Sequence, residues 1–237
     1  MSRACRRATS VRPDRSAAEA DSLFRPDDTR STYDTVARRY AEEISGELED
    51  KPFDREFLDR FGSAVKGRGK VVDLGCGPAH VAAYIALGGV DISGLDLSPA
   101  MVGEAKRLFP ELEVVAGDML ALPCADASLG GLIAFYSIIH FDDDQLQTAF
   151  SEMARVLQDS GLLALAFHIG DEVVHREQWW DMPVVIDARF LPVELVTKLL
   201  AGAGLEIVTA EERGPYAPAV EYQSRRAYIV ATRTPRE

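Results

Sequence analysis

Cysteine is scarce in this chain of 237 residues, and basic charge is outnumbered. Its three cysteines, Cys5, Cys76 and Cys124, are too few for a disulfide scaffold and lack the paired spacing of a metal motif. A reducing compartment, the cytoplasm, is therefore the expected setting. Only 26 Lys and Arg stand against 38 Asp and Glu, a net charge of −12. That balance argues against a nucleic-acid partner, because phosphate contacts need a basic surface. No apolar run is long enough to span a bilayer, so no membrane partner is expected. Arg3, Arg6, Arg7, Arg12 and Arg15 precede no apolar segment, which excludes a secretory signal. Internal repeats and low-complexity segments are absent too. What remains is a chain expected to act on a small molecule, with a homodimer left open.

With 47% apolar residues, the composition supports one domain with a sizeable core. Residues 1–28, rich in Arg, Ser, Ala, Asp and Pro, read as a disordered lead. The domain is expected over 29–237. Its first part, 29–66, forms a helical cap: one helical pattern follows Ser31 and Thr32, and a second runs from Phe53 to Val65. Strands are expected near 70–74, 91–97, 112–116, 129–137, 161–168, 204–210 and 225–232, with helices near 79–87, 99–108, 143–157 and 192–202. Such alternation predicts an α/β fold whose parallel strands carry helices on both faces. The last strand follows its predecessor without a helix, so it should run antiparallel. Residues 169–190 form the one long irregular stretch, and loops of that length in compact domains are usually functional.

The run from Val71 to His80 reads as a strand, a glycine turn and a helix start. Gly75 and Gly77 let the backbone turn sharply and leave room for a ligand. Helix N–H groups point at the same spot. About twenty residues on, Asp96 is placed to accept hydrogen bonds from ribose hydroxyls. Two absences narrow the ligand. The third glycine of a dinucleotide fingerprint is replaced by His80, whose imidazole would obstruct close helix–strand packing. No phosphate-loop lysine is present. A ligand with ribose but without phosphate suits this turn.

At this point the chain resembles the class I S-adenosylmethionine-dependent methyltransferases, whose first motif is D/E-x-G-x-G-x-G. Asp73, Gly75 and Gly77 match, and Ala79 stands where the family usually has glycine, which predicts a slightly altered turn. The resemblance covers residues 31 to 232. It implies a Rossmann-like, seven-stranded, mostly parallel sheet, with S-adenosylmethionine as cofactor. It further implies that Cys76 and Leu97 line the cofactor pocket, that Asp118 contacts the adenine amino group, and that Met119 packs on the ring. Tyr33, with Tyr40, matches the Y-D-x-x-A-x-x-Y pattern of a lid over the cofactor.

The fourth strand ends in Phe135, Tyr136, Ser137, Ile138, Ile139, His140 and Phe141, a segment that resembles the strand end facing the transferable methyl group. Tyr136 is expected against the cofactor, and His140 is the catalytic candidate. Methyl transfer is an in-line displacement in which alignment supplies most of the rate, and a hydroxyl acceptor must also lose its proton. Histidine suits that task near neutral pH. The competing reading has His140 bonded to the adjacent helix start or packed on the cofactor. His168, Trp179, Trp180 and Arg189 are expected to bind the substrate. A divalent metal held by His140 or His168 with Asp171 and Glu172 is the alternative to a metal-free pocket, and the lack of a compact ligand motif favours the latter. The expected activity is methyl transfer to a small-molecule oxygen. The alternatives are transfer to a small amine, or a non-catalytic domain that binds a partner.

Overall fold

Proline, with its φ pre-set for a helix and no N–H to satisfy, starts three of the helices. In the computed structural model, which describes residues 24–235, α1 runs Pro26–Ile44, with Asp27 and Asp28 in its first turn. The helix therefore starts inside the stretch expected to be a lead, because Pro26 and two acidic residues favour an N-terminus there. The remainder of that lead, residues 1–23, lies outside the described residues. Helix α2 (Pro52–Val65) buries Phe57, Leu58, Phe61 and Val65.

From there the chain alternates. Strand β1 (Val71–Leu74), α3 (His80–Leu87), β2 (Ile92–Asp96), α4 (Pro99–Leu108), β3 (Val114–Ala116) and β4 (Leu129–Phe135) fall where the residue pattern puts them. A 3-10 turn, Ile138–His140, follows β4. Helix α5 (Asp143–Val156) opens on a capping box between Asp142 and Gln145. Strand β5 (Leu157–His168), α6 (Val193–Gly202), β8 (Leu205–Arg213) and β9 (Arg226–Arg233) complete the main sheet.

The sheet has seven strands in the order β3-β2-β1-β4-β5-β9-β8. Pairs from β3 through β5 are parallel, and β9 runs antiparallel to both β5 and β8, as expected of a strand entered without a helix. Alternation along the strands assigns the two faces. Val72, Leu74, Leu132 and Leu165 pack with Leu146, Phe150 and Leu200 of α5 and α6. Val71, Ile133 and Ala164 pack with Phe57, Phe61, Val81 and Val102 of α2, α3 and α4. Both faces are covered, as a parallel sheet requires.

Residues 169–190 are not an irregular loop. They hold a two-stranded hairpin, β6 (Val173–Trp179) with β7 (Met182–Arg189). Trp180 and Asp181 form its two-residue turn with φ of 50° and 63°, the left-handed pair of a type I′ turn. Asn-Gly is the usual signal for that turn, and Trp-Asp conceals it. The hairpin lies on α1: the Thr32 hydroxyl donates to the Val185 carbonyl at 2.8 Å and accepts the Val185 N–H at 3.2 Å. Among the described residues no helix is long and apolar enough to cross a membrane.

Candidate active site

Parallel strands leave their carboxyl ends open for ligands, and here those ends line one cavity of about 700 Å³, roofed by α1 and the hairpin. The glycine turn forms its floor. Gly75 has φ +66°, and a Cβ there would stand 2.5 Å from the Ser137 Cβ, so no other residue fits. Gly77 donates its N–H to Asp96 Oδ2 at 2.7 Å, while Asp96 Oδ1 accepts from the Ser98 N–H at 2.8 Å. The first and second strand ends are thus tied together through one carboxylate. Burial raises the Asp96 carboxyl to about 6. Ala79 holds the left-handed conformation (φ 64°, ψ 22°). The backbone expected of the missing glycine is therefore kept, at a cost of about 1 kcal/mol.

Asp73 is 1% exposed, and its Oδ2 has no hydrogen-bond partner in the protein. Burial raises its carboxyl to about 7; Asp96 adds to the shift and His80 opposes it. A buried carboxylate oxygen without a donor, above a turn that admits no side chain at Gly75, suits a cationic ligand lying against the backbone. His80 does not obstruct the helix–strand packing. Its Nε2 meets Glu47 Oε1 at 2.7 Å. Glu47 in turn holds Lys51. Burial opposes ionisation of Glu47, but the bonds and charges of His80 and Lys51 outweigh it and hold the carboxyl at about 2.

Cys76, Leu97, Asp118 and Met119 also line the cavity. Asp118 Oδ1 accepts from the Leu120 N–H at 2.8 Å, the local turn that also fixes its orientation. Burial drives the Cys76 thiol upward and keeps it protonated.

His140 sits in the 3-10 turn, 8% exposed. Its Nδ1 lies 2.7 Å from the Asp187 carbonyl oxygen, which only accepts, so Nδ1 carries the proton. Nε2 then accepts from the Tyr33 hydroxyl at 2.9 Å. Burial lowers the pKa of His140 and keeps the ring neutral. It bonds neither the start of α5 nor the glycine turn. Tyr33 therefore belongs to the His140 end of the cavity as well as to its roof, and burial drives its phenol above the usual value. Tyr40 and Trp179 meet Tyr33 edge-on at centroid distances of 5.6 and 6.0 Å.

His168 lies between Tyr136 and Phe190, with centroids 5.1 and 5.2 Å away, and its Nδ1 is 2.7 Å from Ser224 Oγ. Burial and the nearby Arg226 push it down to about 3. Tyr136 has φ 57°, a strained value for a non-glycine residue. Its hydroxyl meets the Tyr228 hydroxyl at 2.9 Å, and Tyr228 donates to Asp54 at 3.1 Å. Tyr136 thus stands beside His168 in the cavity wall, its hydroxyl engaged by Tyr228.

Two expected substrate residues are elsewhere. Arg189 pairs with Asp143 at 2.7 Å, and Trp180 stacks on Trp179 at 4.9 Å; neither lines the cavity. Strand alternation explains Arg189: Ile186 and Ala188 face inward, so Asp187 and Arg189 face outward. Trp180 sits in the hairpin turn. Among the described residues, no group of three His, Cys, Asp or Glu side chains is arranged to hold a metal.

Glu47, Lys51, Ser137, Arg176 and Asp187 were not singled out from the sequence. The spacing of four between Glu47 and Lys51 signals a helical ion pair. Nothing local signals Asp187, which acts through its backbone.

Such a sheet, with a glycine turn gripping an acidic residue one strand over, defines the class I methyltransferase fold. Comparison with known proteins agrees. Residues 71–161 match the family model for a methyltransferase domain. A demethylmenaquinone methyltransferase of Beutenbergia cavernae is 34% identical over 143 residues, 60% of this chain and 58% of that protein. A malonyl-[acyl-carrier protein] O-methyltransferase of Enterobacter lignolyticus is 30% identical over 156 residues, 64% of this chain and 60% of that one. The magnesium protoporphyrin IX methyltransferase of Synechocystis PCC 6803, solved with bound S-adenosylmethionine, superposes with a TM-score of 0.65 at 18% identity, covering 88% of this chain and 97% of that one. Residues 71–161 thus carry a methyltransferase domain, set in a chain with the class I methyltransferase fold. The chain spans about three fifths of the length of these two sequence relatives.

Proposed function

We propose that this protein transfers a methyl group to a hydroxyl or phenol oxygen of a small molecule, with His140 as the proton sink. Bound S-adenosylmethionine supplies the electrophilic methyl group on its sulfonium. Asp96 would take its ribose, Asp73 and the glycine turn its amino-acid end, and Asp118 with Met119 its adenine. The observation that carries the reading is the polarity of the chain Tyr33–His140–Asp187. With Nδ1–H given to a carbonyl, the Nε2 lone pair is the one basic site, and the Tyr33 hydroxyl covers it.

A proton leaving an acceptor oxygen at Tyr33 Oη is relayed as Tyr33 passes its own proton to His140 Nε2. Tyr33 touches the acceptor, and His140 stabilises the transferred charge. An amine acceptor would make no use of this arrangement, which is why oxygen is preferred over nitrogen. His168, Phe190 and Trp179 give the acceptor a flat apolar wall. The relatives named for demethylmenaquinone and for malonyl-[acyl-carrier protein] use different acceptors on this domain, so the acceptor follows from this wall and not from the family.

The test is a product analysis. Protein incubated with labelled S-adenosylmethionine is offered hydroxylated naphthalenes, simple phenols and the matching aryl amines, and the methylated atom is identified by mass spectrometry. Label on oxygen that is lost with His140→Gln is the expected result. Transfer to amines alone, indifferent to His140, would sink the reading.

A further inference from the structure

A guanidinium never loses its charge and offers five N–H donors, so in a folded protein it is normally tied to carboxylates or carbonyls. Among the described residues, every arginine but one gives the protein a hydrogen bond or an ion pair. The exception is Arg176, whose side chain makes neither with any described residue. Its contact is with the Trp179 ring, whose centroid lies 5.7 Å from the guanidinium carbon. A cation–π contact steadies the charge but gives the N–H donors no oxygen.

The hairpin carries that charge into the cavity. Alternation along β6 and β7 sends Val174, Arg176, Ile186 and Ala188 to the inward face. The other three are apolar, and Arg176 is half-buried among them. Part of its hydration is lost with no protein anion to replace it, a cost that a bound anion would offset. Trp179, which carries the cation, also meets the Tyr33 ring at 6.0 Å. Burial and then Asp96 drive the Tyr33 phenol upward, and the charge of Arg176 opposes them. Arg176 therefore belongs to the Tyr33–His140 end of the cavity.

The natural partner of a guanidinium fork is a carboxylate, whose two oxygens accept two parallel N–H bonds. With a net charge of −12, the protein as a whole repels anions, so an anionic acceptor needs a cation at the site itself. We propose that the methyl acceptor is an aromatic hydroxy acid, its carboxylate held by Arg176 and its hydroxyl at Tyr33. This rests on the oxygen-acceptor reading and adds the charge of the substrate to it. Arg176 sets specificity and takes no part in the proton relay.

The test sets acids against their neutral amides. The full-length protein and labelled S-adenosylmethionine are offered para-hydroxybenzoate, para-hydroxycinnamate and a hydroxynaphthoate with its two groups on opposite rings, each beside its primary amide. Wild type should favour at least one acid over its amide by about tenfold to a hundredfold in KM, the value of a hydrogen bond to a charged group. Arg176→Gln should raise the KM of that acid until the ratio is near one, with S-adenosylhomocysteine affinity held. Arg176→Lys keeps the charge without the fork; it should retain part of the preference, and it serves if Arg176→Gln does not fold.

A wild type that favours no acid, or a preference that survives Arg176→Gln, overturns the assignment. So does a loss of S-adenosylhomocysteine affinity in Arg176→Gln, which would give the guanidinium to the cofactor's carboxylate. A fall in kcat shared by acid and amide would overturn it too, by making Arg176 a stabiliser of the reacting charge, as would label found on the carboxylate. Wild-type protein that methylates none of the acids, amides or hydroxylated naphthalenes would overturn the oxygen-acceptor reading itself, whereas acid and amide methylated alike would overturn this inference alone.

Discussion

The Tyr33 hydroxyl donates a 2.9 Å hydrogen bond to Nε2 of His140, a residue 107 positions further along the chain. This bond places a phenol between the base and any acceptor, and it joins the helical cap to the end of β4. Tyr33→Phe should leave S-adenosylhomocysteine affinity near wild type and lower turnover of an oxygen acceptor by about 10²–10⁴, the usual range for a lost proton-transfer group. Calorimetry beside initial rates would check the split.

The same relay sets a pH dependence. His140 must be neutral to take a proton, and burial lowers its pKa below the usual 6.5. Turnover should hold as pH falls to 6.5 and decline only below it. An acid limb centred above pH 6.5, or one unchanged in His140→Gln, would contradict the relay.

Asp73 should trade stability for binding. Its folded-state pKa of about 7 exceeds the usual aspartate value of 3.8. The carboxyl therefore favours folding most below pH 3.8, and that contribution fades as pH rises through 7. At pH 8 the ionised, unpaired group costs on the order of 4 kcal/mol. Asp73→Asn should raise the melting temperature of ligand-free protein at pH 8, with little effect at pH 4, and weaken S-adenosylhomocysteine. A melting temperature unchanged at pH 8 would show that the charge carries no such cost.

Ala79 permits a sharper comparison. Ala79→Gly relieves a left-handed alanine, worth about 1 kcal/mol. It also frees the unfolded chain by about 0.4–1 kcal/mol and removes a buried methyl worth about 0.8 kcal/mol. These effects nearly cancel, so denaturant melts should show a change below about 1 kcal/mol. Ala79→Val, β-branched at positive φ in a fully buried position, should cost several times that.

Asp54 is fully buried and accepts from Arg213 at 2.7 Å and from Tyr228 at 3.1 Å. Asp54→Ala leaves Arg213 with Glu221 as its carboxylate partner. Breaking one side of a buried ion pair costs about 3–5 kcal/mol, which is roughly 10 °C in melting temperature for a chain of this size. A scan within 2–3 °C of wild type would remove Asp54 from the structural network.

The elements most legible in the chain were those built by local chemistry. Val71–Leu74 and the Gly75 and Gly77 turn each carry their instruction within a few residues, and the structure has them at the expected places. The start of α1 was misplaced by several residues because Ser31 and Thr32 resemble a cap more than Arg25 does. The hairpin was missed because a turn with both central residues left-handed is built here from Trp180 and Asp181.

Arg189 was expected in the pocket and faces away from it, since the inward face of β7 could not be known before the strand itself was recognised. His140 could be named from its place at a strand end. Its partners could not, because Tyr33 and the Asp187 carbonyl are distant in sequence.

The order of residues by itself determined the layered α/β architecture, the glycine turn and the carboxylate that grips it, because hydrophobic period, turn chemistry and capping act over a handful of neighbours. Only the tertiary structure decided the proton position on His140, the isolation of the Asp73 oxygen and the roof of α1 and hairpin. Those depend on which distant groups burial brings within 3 Å, and on which polar atoms that packing leaves without a partner.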